Sequence, residues 1–219
     1  MKLNSESKVV EGQAVKYEVS EDKKVYTFTL RDDAKWSDGE AVKASDFVYS
    51  WQRLVNPETA SDYNYMIGMV ENANEIMEGK KDPSELGIKA LDDKTVEVTL
   101  ATPTAYFLEI CAFPATYPVR QDIVDANPDT WSTDPQTYIG NGPYVLTEWN
   151  HQAKMVYTKN ENYYDVEFTE KKFDADGESM EAGIFEEDEP EDRIKGGFQK
   201  PSSIGVSFYI PDDVQKINA

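Results

Sequence analysis

Apolar and polar positions first alternate regularly at Val25-Tyr-Thr-Phe-Thr-Leu-Arg31, where aromatic or aliphatic residues take turns with threonines. A period of two predicts a half-buried strand. Asp32-Asp33 follows it, and Ser37-Asp38-Gly39 reads as a turn whose glycine is free to take positive φ. The period then changes. Phe47, Val48, Trp51, Leu54 and Val55 share one helical face, with Ser45 expected as the N-cap and Asp46 favourable in the first turn. Asn56-Pro57 stops this helix, because proline cannot continue the hydrogen-bond ladder. A second helix is expected from about Tyr65 to Glu78, striped by Met66, Met69, Val70, Ala73, Ile76 and Met77 and ended by Gly79.

A hairpin follows. Gly87 to Leu91 and Lys94 to Leu100 flank Asp92-Asp93, and the second arm points Val96, Val98 and Leu100 inward. Thr102-Pro103 breaks that strand, and Tyr106 to Cys111 reads as a short buried helix. Pro114 and Pro118 bound a loop, and Gln121 to Ala126 reads as another short helix. Ile139-Gly-Asn-Gly-Pro143 is a glycine turn feeding a strand from Tyr144 to Trp149, which pairs with a strand from Lys154 to Lys159. No internal repeat of twenty to fifty residues is visible. After Asp165 the composition shifts: Val166 to Arg193 holds twelve acids against three bases, the pattern of solvated chain. Phe168, Phe173, Ile184, Phe185 and Phe198 are candidates to edge a sheet there, and Gly205 to Ile210 reads as one more strand.

Charge narrows the partners. The 219 residues carry 42 acids and 22 bases, a net charge of -20. Polyanions are bound through lysines and arginines that release counterions, so nucleic acid and anionic membrane surfaces are excluded as partners. No apolar run approaches the roughly 18 residues of a spanning helix. The opening MKLNSESKVVEG has no hydrophobic core of a signal peptide, so Met1 reads as an artificial start with any export signal or anchor left out. The single cysteine, Cys111, precludes an intrachain disulfide and reads as a small buried hydrophobe.

Catalytic and metal patterns do not form. The only histidine, His151, sits in the polar stretch Asn150-His-Gln-Ala and reads as a surface residue without a nucleophile. A calcium loop on Asp174-Ala-Asp-Gly177 would need ligands where Lys172 and Gly183 stand. Gly140-Asn-Gly142 is too short to cradle phosphate and lacks a following lysine. No catalytic residue, metal or cofactor is expected.

One block rises above this background. Leu30-Arg31 ends an aromatic strand, Lys35-Trp-Ser-Asp-Gly39 follows, and a helix opens Asp46-Phe-Val-Tyr-Ser-Trp51. Further stretches follow in order: Met77-Glu-Gly-Lys-Lys81, Leu86-Gly-Ile-Lys-Ala-Leu-Asp-Asp93 through Leu100, Gly140-Asn-Gly-Pro-Tyr144 and Asn162-Tyr-Tyr-Asp165. Together they resemble the peptide/nickel class of bacterial extracellular solute-binding proteins, and most closely its oligopeptide-binding members. Trp36, Phe47 and Trp51 nevertheless read as core packing, and Ser37-Asp38-Gly39 as turn chemistry.

The resemblance implies an α+β (mixed α/β) fold: a periplasmic-binding-protein-like lobe with a twisted, mostly antiparallel sheet and about three flanking helices. Residues 8–165 would form the smaller lobe with its following strands, and 166–219 a divergent acidic tail that is partly strand, in which only Ile210 to Lys216 echoes the family. It further implies an extracytoplasmic protein, periplasmic or a cell-surface lipoprotein, that binds an oligopeptide and delivers it to membrane ABC importer subunits. Relatives accept peptides, nickel complexes, haem or sugars, so the resemblance leaves the solute open. Tyr63 and then Asn141 are the ligand-binding residues it suggests; Tyr63 reads equally as a surface or packing residue. Family members are longer, and the second lobe that supplies most charged contacts is missing here, so weak or no binding by this lobe alone is expected. The competing class is a stand-alone interaction or structural module that binds no small solute; a hydrolase built on His151 ranks third.

Overall fold

The computed structural model describes residues 1–4, 6–151 and 153–165, together with the backbone of strands at 179–184 and 206–209. The chain divides into two compact units, one of Met1–Ala34 with Ala41–Asp125, the other of Lys35–Glu40 with Ala126–Ala219.

In the first unit a small hairpin of β1 (Lys2–Leu3) and β2 (Val9–Val10) precedes β3 (Ala14–Val19) and β4 (Val25–Leu30). Helix α1 (Ala44–Val55) and helix α2 (Ala73–Met77) come next, then β5 (Ile88–Asp92), β6 (Thr95–Thr99), α3 (Phe107–Ile110) and α4 (Gln121–Ala126). The larger sheet runs β3-β4-β6-β5, antiparallel throughout. Alternation decides which side faces the core: Tyr26, Phe28 and Leu30 of β4 and Val96 and Val98 of β6 are all buried. Phe107 from α3 is fully buried between them, its ring 4.8 Å from Tyr26 and 6.3 Å from Trp51, both edge-on. Such edge-to-face packing adds to the apolar burial of each ring.

Helix α1 buries Trp51, Leu54 and Val55, with Phe47 and Val48 half-buried on the same side, as the stripe predicts. Its start differs from expectation. The N-cap position is Lys43, not Ser45, and Asp46 accepts the Lys43 backbone N–H at 2.9 Å. The helix begins earlier because the Ala44 N–H already has an acceptor, the Asp93 carbonyl of the β5–β6 turn. Lys94 in that turn donates to the carbonyls of Arg31 and Val42 at 3.2 and 3.3 Å.

The expected long second helix is two short pieces, a 3-10 turn over Asn64–Ile67 and then α2. Between them the chain is captured by the sheet. Val70 bridges Leu100, Glu71 N–H donates to the Thr99 carbonyl, and Ala101 N–H donates to the Met69 carbonyl. Asn72 then turns left-handed at φ 66°, a conformation asparagine tolerates better than most residues. The helix at Tyr106 to Cys111 is also shorter than expected: Tyr106 is its exposed N-cap, and α3 spans only Phe107–Ile110.

The second unit holds an antiparallel sheet in the order β10-β9-β8-β7, from β7 (Tyr144–Asn150), β8 (Lys154–Lys159), β9 (Ser179–Ile184) and β10 (Val206–Tyr209). The expected strands at Tyr144 to Trp149 and Lys154 to Lys159 are β7 and β8, and Gly205 to Ile210 contains β10. Phe168, Phe173, Phe185, Phe198 and the Asp174 loop lie outside the described residues, as does Ile210 to Lys216. Among the described residues, no helix is long and apolar enough to cross a membrane.

Candidate functional site

In the first unit, the chain leaving α1 is tied into a tight loop. Asn56 accepts the Glu58 N–H at 3.0 Å, a 3-10 turn covers Pro57–Thr59, and Ala60 takes a left-handed φ of 50°. The reversal presents Tyr63, whose carbonyl accepts the Met66 N–H at 3.1 Å and so opens the next turn. The Tyr63 side chain is 51% exposed, yet it is not loose: its ring lies 5.7 Å from Phe113 and 6.3 Å from Tyr65. Phe113 is held from beneath. Thr116 and Tyr117, just beyond it, offer their carbonyls to Trp51 Nε1 at 2.9 Å and Ser50 Oγ at 2.6 Å. A buried helix face thereby fixes an aromatic shelf in which Tyr63 and Tyr65 are exposed and Phe113 is half-buried. Flat apolar rings with hydroxyls at their rims suit a partner whose side chains vary.

In the second unit, Asn141 is half-buried in the turn before β7. Both of its glycine neighbours are pinned by their carbonyls. Gly140 accepts the Ser37 N–H at 2.8 Å, and Gly142 accepts Asn160 Nδ2 at 2.7 Å. Asn160 is 2% exposed and also accepts the Asn162 N–H, while Asn162 Nδ2 donates to the Ser37 carbonyl at 3.1 Å. Ser37 itself belongs to the turn in which Gly39 adopts φ 92°, the positive value expected of it. The segments Lys35 to Gly39, Gly140 to Tyr144 and Asn162 to Asp165, far apart in sequence, are thus joined by one hydrogen-bond network.

Tyr63 and Asn141 therefore belong to different units, the first on an exposed shelf and the second in a braced turn. Trp36 and Trp51 are buried at 1% and 4% exposure, scaffolding as expected. Sequence reasoning missed Tyr65 and Phe113 as companions of Tyr63. Tyr65 follows at i+2 and reads in the sequence only as the start of the expected second helix, whereas Phe113 is fifty residues away and leaves no local signal.

Among the described residues, the two candidates for reactivity are His151 and Cys111. His151 is exposed and stacks on Trp149 at 4.5 Å. Burial pushes the Cys111 thiol up to about 12, away from the thiolate that reactivity requires. Among the described residues no three His, Cys, Asp or Glu side chains gather as a metal site. A cavity between the sheet and α1, lined by Phe28, Leu30, Phe47, Trp51 and Cys111, has a volume of only about 40 Å³. Ligand pockets typically measure some 300–1,000 Å³, so this space is a packing void.

Comparison with known proteins fits the geometry. The family model for bacterial extracellular solute-binding proteins, family 5 (middle) matches residues 8–194. The periplasmic oligopeptide-binding protein OppA of Salmonella typhimurium is 46% identical over 156 residues, which cover 70% of this chain and 28% of that protein. Among solved structures, the substrate-binding domain of an oligopeptide ABC transporter from Bacillus anthracis superposes with a TM-score of 0.74 at 42% identity, over 76% of this chain and 32% of its own. OppA of Listeria monocytogenes, solved bound to peptide, gives a TM-score of 0.74 at 41% identity, over 76% and 33%. The chain spans less than a third of the length of these curated relatives and structures.

Proposed function

Because this chain belongs to family 5 of the bacterial extracellular solute-binding proteins, we propose that it serves oligopeptide capture for import by a membrane ABC transporter. Residues 8–165 act as the smaller lobe of a bilobed receptor located outside the cytoplasm, and 166–219 form a divergent tail. Binding, not catalysis, is the activity. The observation that carries the reading is the shelf of Tyr63 and Phe113, rings 5.7 Å apart, with Tyr63 half exposed. Its rings offer contact to peptide side chains of any sequence, and the Tyr63 hydroxyl can hydrogen-bond a peptide main chain. Asn141 contributes a polar contact from its braced turn.

A second lobe completes the receptor, and importer subunits receive the loaded form. Alone, this lobe offers part of the contacts while meeting most of the entropic cost of association. The expected dissociation constant for short peptides is therefore weak, on the order of 0.1–10 mM. Titration with a mixed short-peptide library, followed by NMR, tests this. Tyr63, Tyr65 and Phe113 should shift at millimolar peptide, and Tyr63→Ala should remove the response. Micromolar binding defeats the incomplete-lobe reading, and a millimolar response that survives Tyr63→Ala defeats the shelf as the peptide site.

A further inference from the structure

Strand β3 is an edge of the first unit's sheet, and among the described residues its only strand partner is β4. Helix α1 packs over β5 and β6, at the other side of that sheet. Ala14 at the start of β3 is buried in the core, but from Tyr17 to Val19 the core-side face of the strand is left uncovered. Tyr17 lies directly opposite buried Phe28, its ring 6.2 Å away, and Val19 lies opposite buried Tyr26, so both point to the core side; Val15 is the extra residue where the register shifts between Ala14 and Lys16. Tyr17, Val15 and Val19 remain 41%, 38% and 41% exposed. Lys16 and Glu18 point to the opposite face, where they form an ion pair along the strand at 2.5 Å.

The free edge has a defined hydrogen-bonding phase. Ser20 N–H donates to the Val25 carbonyl at 2.9 Å, which makes Ser20–Val25 a hydrogen-bonded pair. Antiparallel ladders alternate hydrogen-bonded and non-hydrogen-bonded pairs. Glu18–Thr27 and Lys16–Thr29 are then also hydrogen-bonded, and Tyr17 and Val19 turn their N–H and C=O groups away from β4. An exposed, apolar edge with unspent donors and acceptors is a template for another strand.

The sequence of β3, Ala-Val-Lys-Tyr-Glu-Val, is complementary to its own reverse about Tyr17. We propose that this edge is a self-association surface, in which β3 pairs antiparallel with β3 of a second copy about a two-fold axis at Tyr17. In that register Tyr17 faces Tyr17 of the second copy as a hydrogen-bonded pair, which the phase of the free edge requires. Val19 continues the apolar face beyond Tyr17 on each copy, and Val15, at the bulge, comes opposite Val19 of the second copy. Lys16 faces Glu18 as a non-hydrogen-bonded pair, the kind whose side chains approach most closely. With the pairs along each strand, this gives a square of four charges alternating in sign. A shift of one residue would place like charges opposite one another or set valine against lysine, so register and symmetry select each other.

The net charge of -20 on each copy opposes association, and at about 150 mM salt its reach shrinks to roughly 8 Å. This opposition makes the test discriminating. In sedimentation equilibrium from about 10 μM to 1 mM at that salt, reversible dimerisation is expected. K16E and E18K should each weaken the dimer about tenfold, a combined cost of about 1.4 kcal/mol from two symmetric cross-strand pairs. An equimolar mixture of K16E and E18K, and the double variant K16E/E18K, should restore wild-type association. Bulk repulsion makes the contrary prediction, since E18K lowers the negative charge and would then associate more strongly. Both side chains are exposed, and unchanged circular dichroism shows that each variant folds. A monomer at every concentration, an E18K dimer as strong as wild type, or a mixture that stays monomeric overturns the proposal.

Discussion

The indole Nε1–H of Trp51 donates to the carbonyl of Thr116 at 2.9 Å, across sixty-five residues of chain and out of contact with water. This bond joins the core helix to the loop that carries Phe113, and Phe113 supports Tyr63. Trp51 is thus scaffold and positioning device together. Trp51→Phe keeps most of the apolar contact and removes the donor, leaving a buried carbonyl unsatisfied. The expected loss is about 2–3 kcal/mol, read as a lower urea midpoint. Faster amide exchange over Phe113 to Tyr117 should accompany it.

Gly87 stands where no side chain fits. A Cβ there would lie 2.7 Å from the Thr99 carbonyl oxygen and 2.8 Å from Glu71 Cβ. The crowding comes from three backbone bonds closing a ring: Gly87 N–H to Glu71, Glu71 N–H to Thr99, and Thr99 N–H to Gly87. Backbone cannot step aside as a flexible side-chain end can. Gly87→Ala should therefore destabilise by about 2–4 kcal/mol, at or above the usual cost of overpacking, measured by chemical denaturation. A loss below about 0.5 kcal/mol, the range of ordinary surface substitutions, would show that the ring opens without strain.

These cases show how far the sequence was legible. Strands β4 and β6 and helix α1 follow from periodicity, because each has one face in a core and the other outside; β7 and β8 are equally legible, although β8 is half-buried along its whole length. The left-handed turn at Gly39 was legible for a similarly local reason. The second helix was not. Its stripe of methionines and aliphatics is genuine, but two backbone bonds from Met69 and Glu71 tie that stretch to the end of β6, and no local pattern records such a tie. The resemblance quoted Gly87 as part of Leu86 to Asp93, yet its reason is steric and lies in Thr99 and Glu71. The shelf was half legible. Tyr63 was singled out by likeness, whereas Phe113 is brought to it by Trp51 and Thr116. Strand β3 is not legible in the same way, because the run is short and its register shifts at Val15.

Asn160 tests the second unit. Its amide spans two anchor points, donating to the Gly142 carbonyl at 2.7 Å and accepting the Asn162 N–H at 3.0 Å, and it is almost wholly buried. Asn160→Ala leaves both groups to find other partners, at a cost of about 2–3 kcal/mol. Proton exchange at Asn141 and Asn162 should accelerate, while amides of the sheet β3-β4-β6-β5 keep their protection. Equal loosening of that sheet would contradict a local role.

Cys111 supplies a pH test. Desolvation raises its thiol from 9.0 to about 12; the positive charge of the Met1 amine opposes this, and the charge of Glu109 adds to it. The unfolded thiol titrates near its ordinary value, so between about pH 9 and 12 the folded chain holds one proton more than the unfolded one. Stability then falls as pH rises, by up to about 1.4 kcal/mol per unit from this group. Below pH 8 its contribution is fully present. Burial also raises Tyr26, Tyr49, Tyr144 and Tyr157, with the same sign. Comparison with Cys111→Ala cancels Tyr49, Tyr144 and Tyr157 and leaves the thiol together with its coupling to Tyr26. Urea midpoints from pH 8 to 10.5 should show wild type losing stability faster than the variant, with the difference between them shifting by about 2 kcal/mol. The native thiol should also resist a disulfide reagent at pH 8 and react only on unfolding. Parallel curves, or rapid native labelling, would mean that the sulfur is in water and that the core behind Phe107 is open.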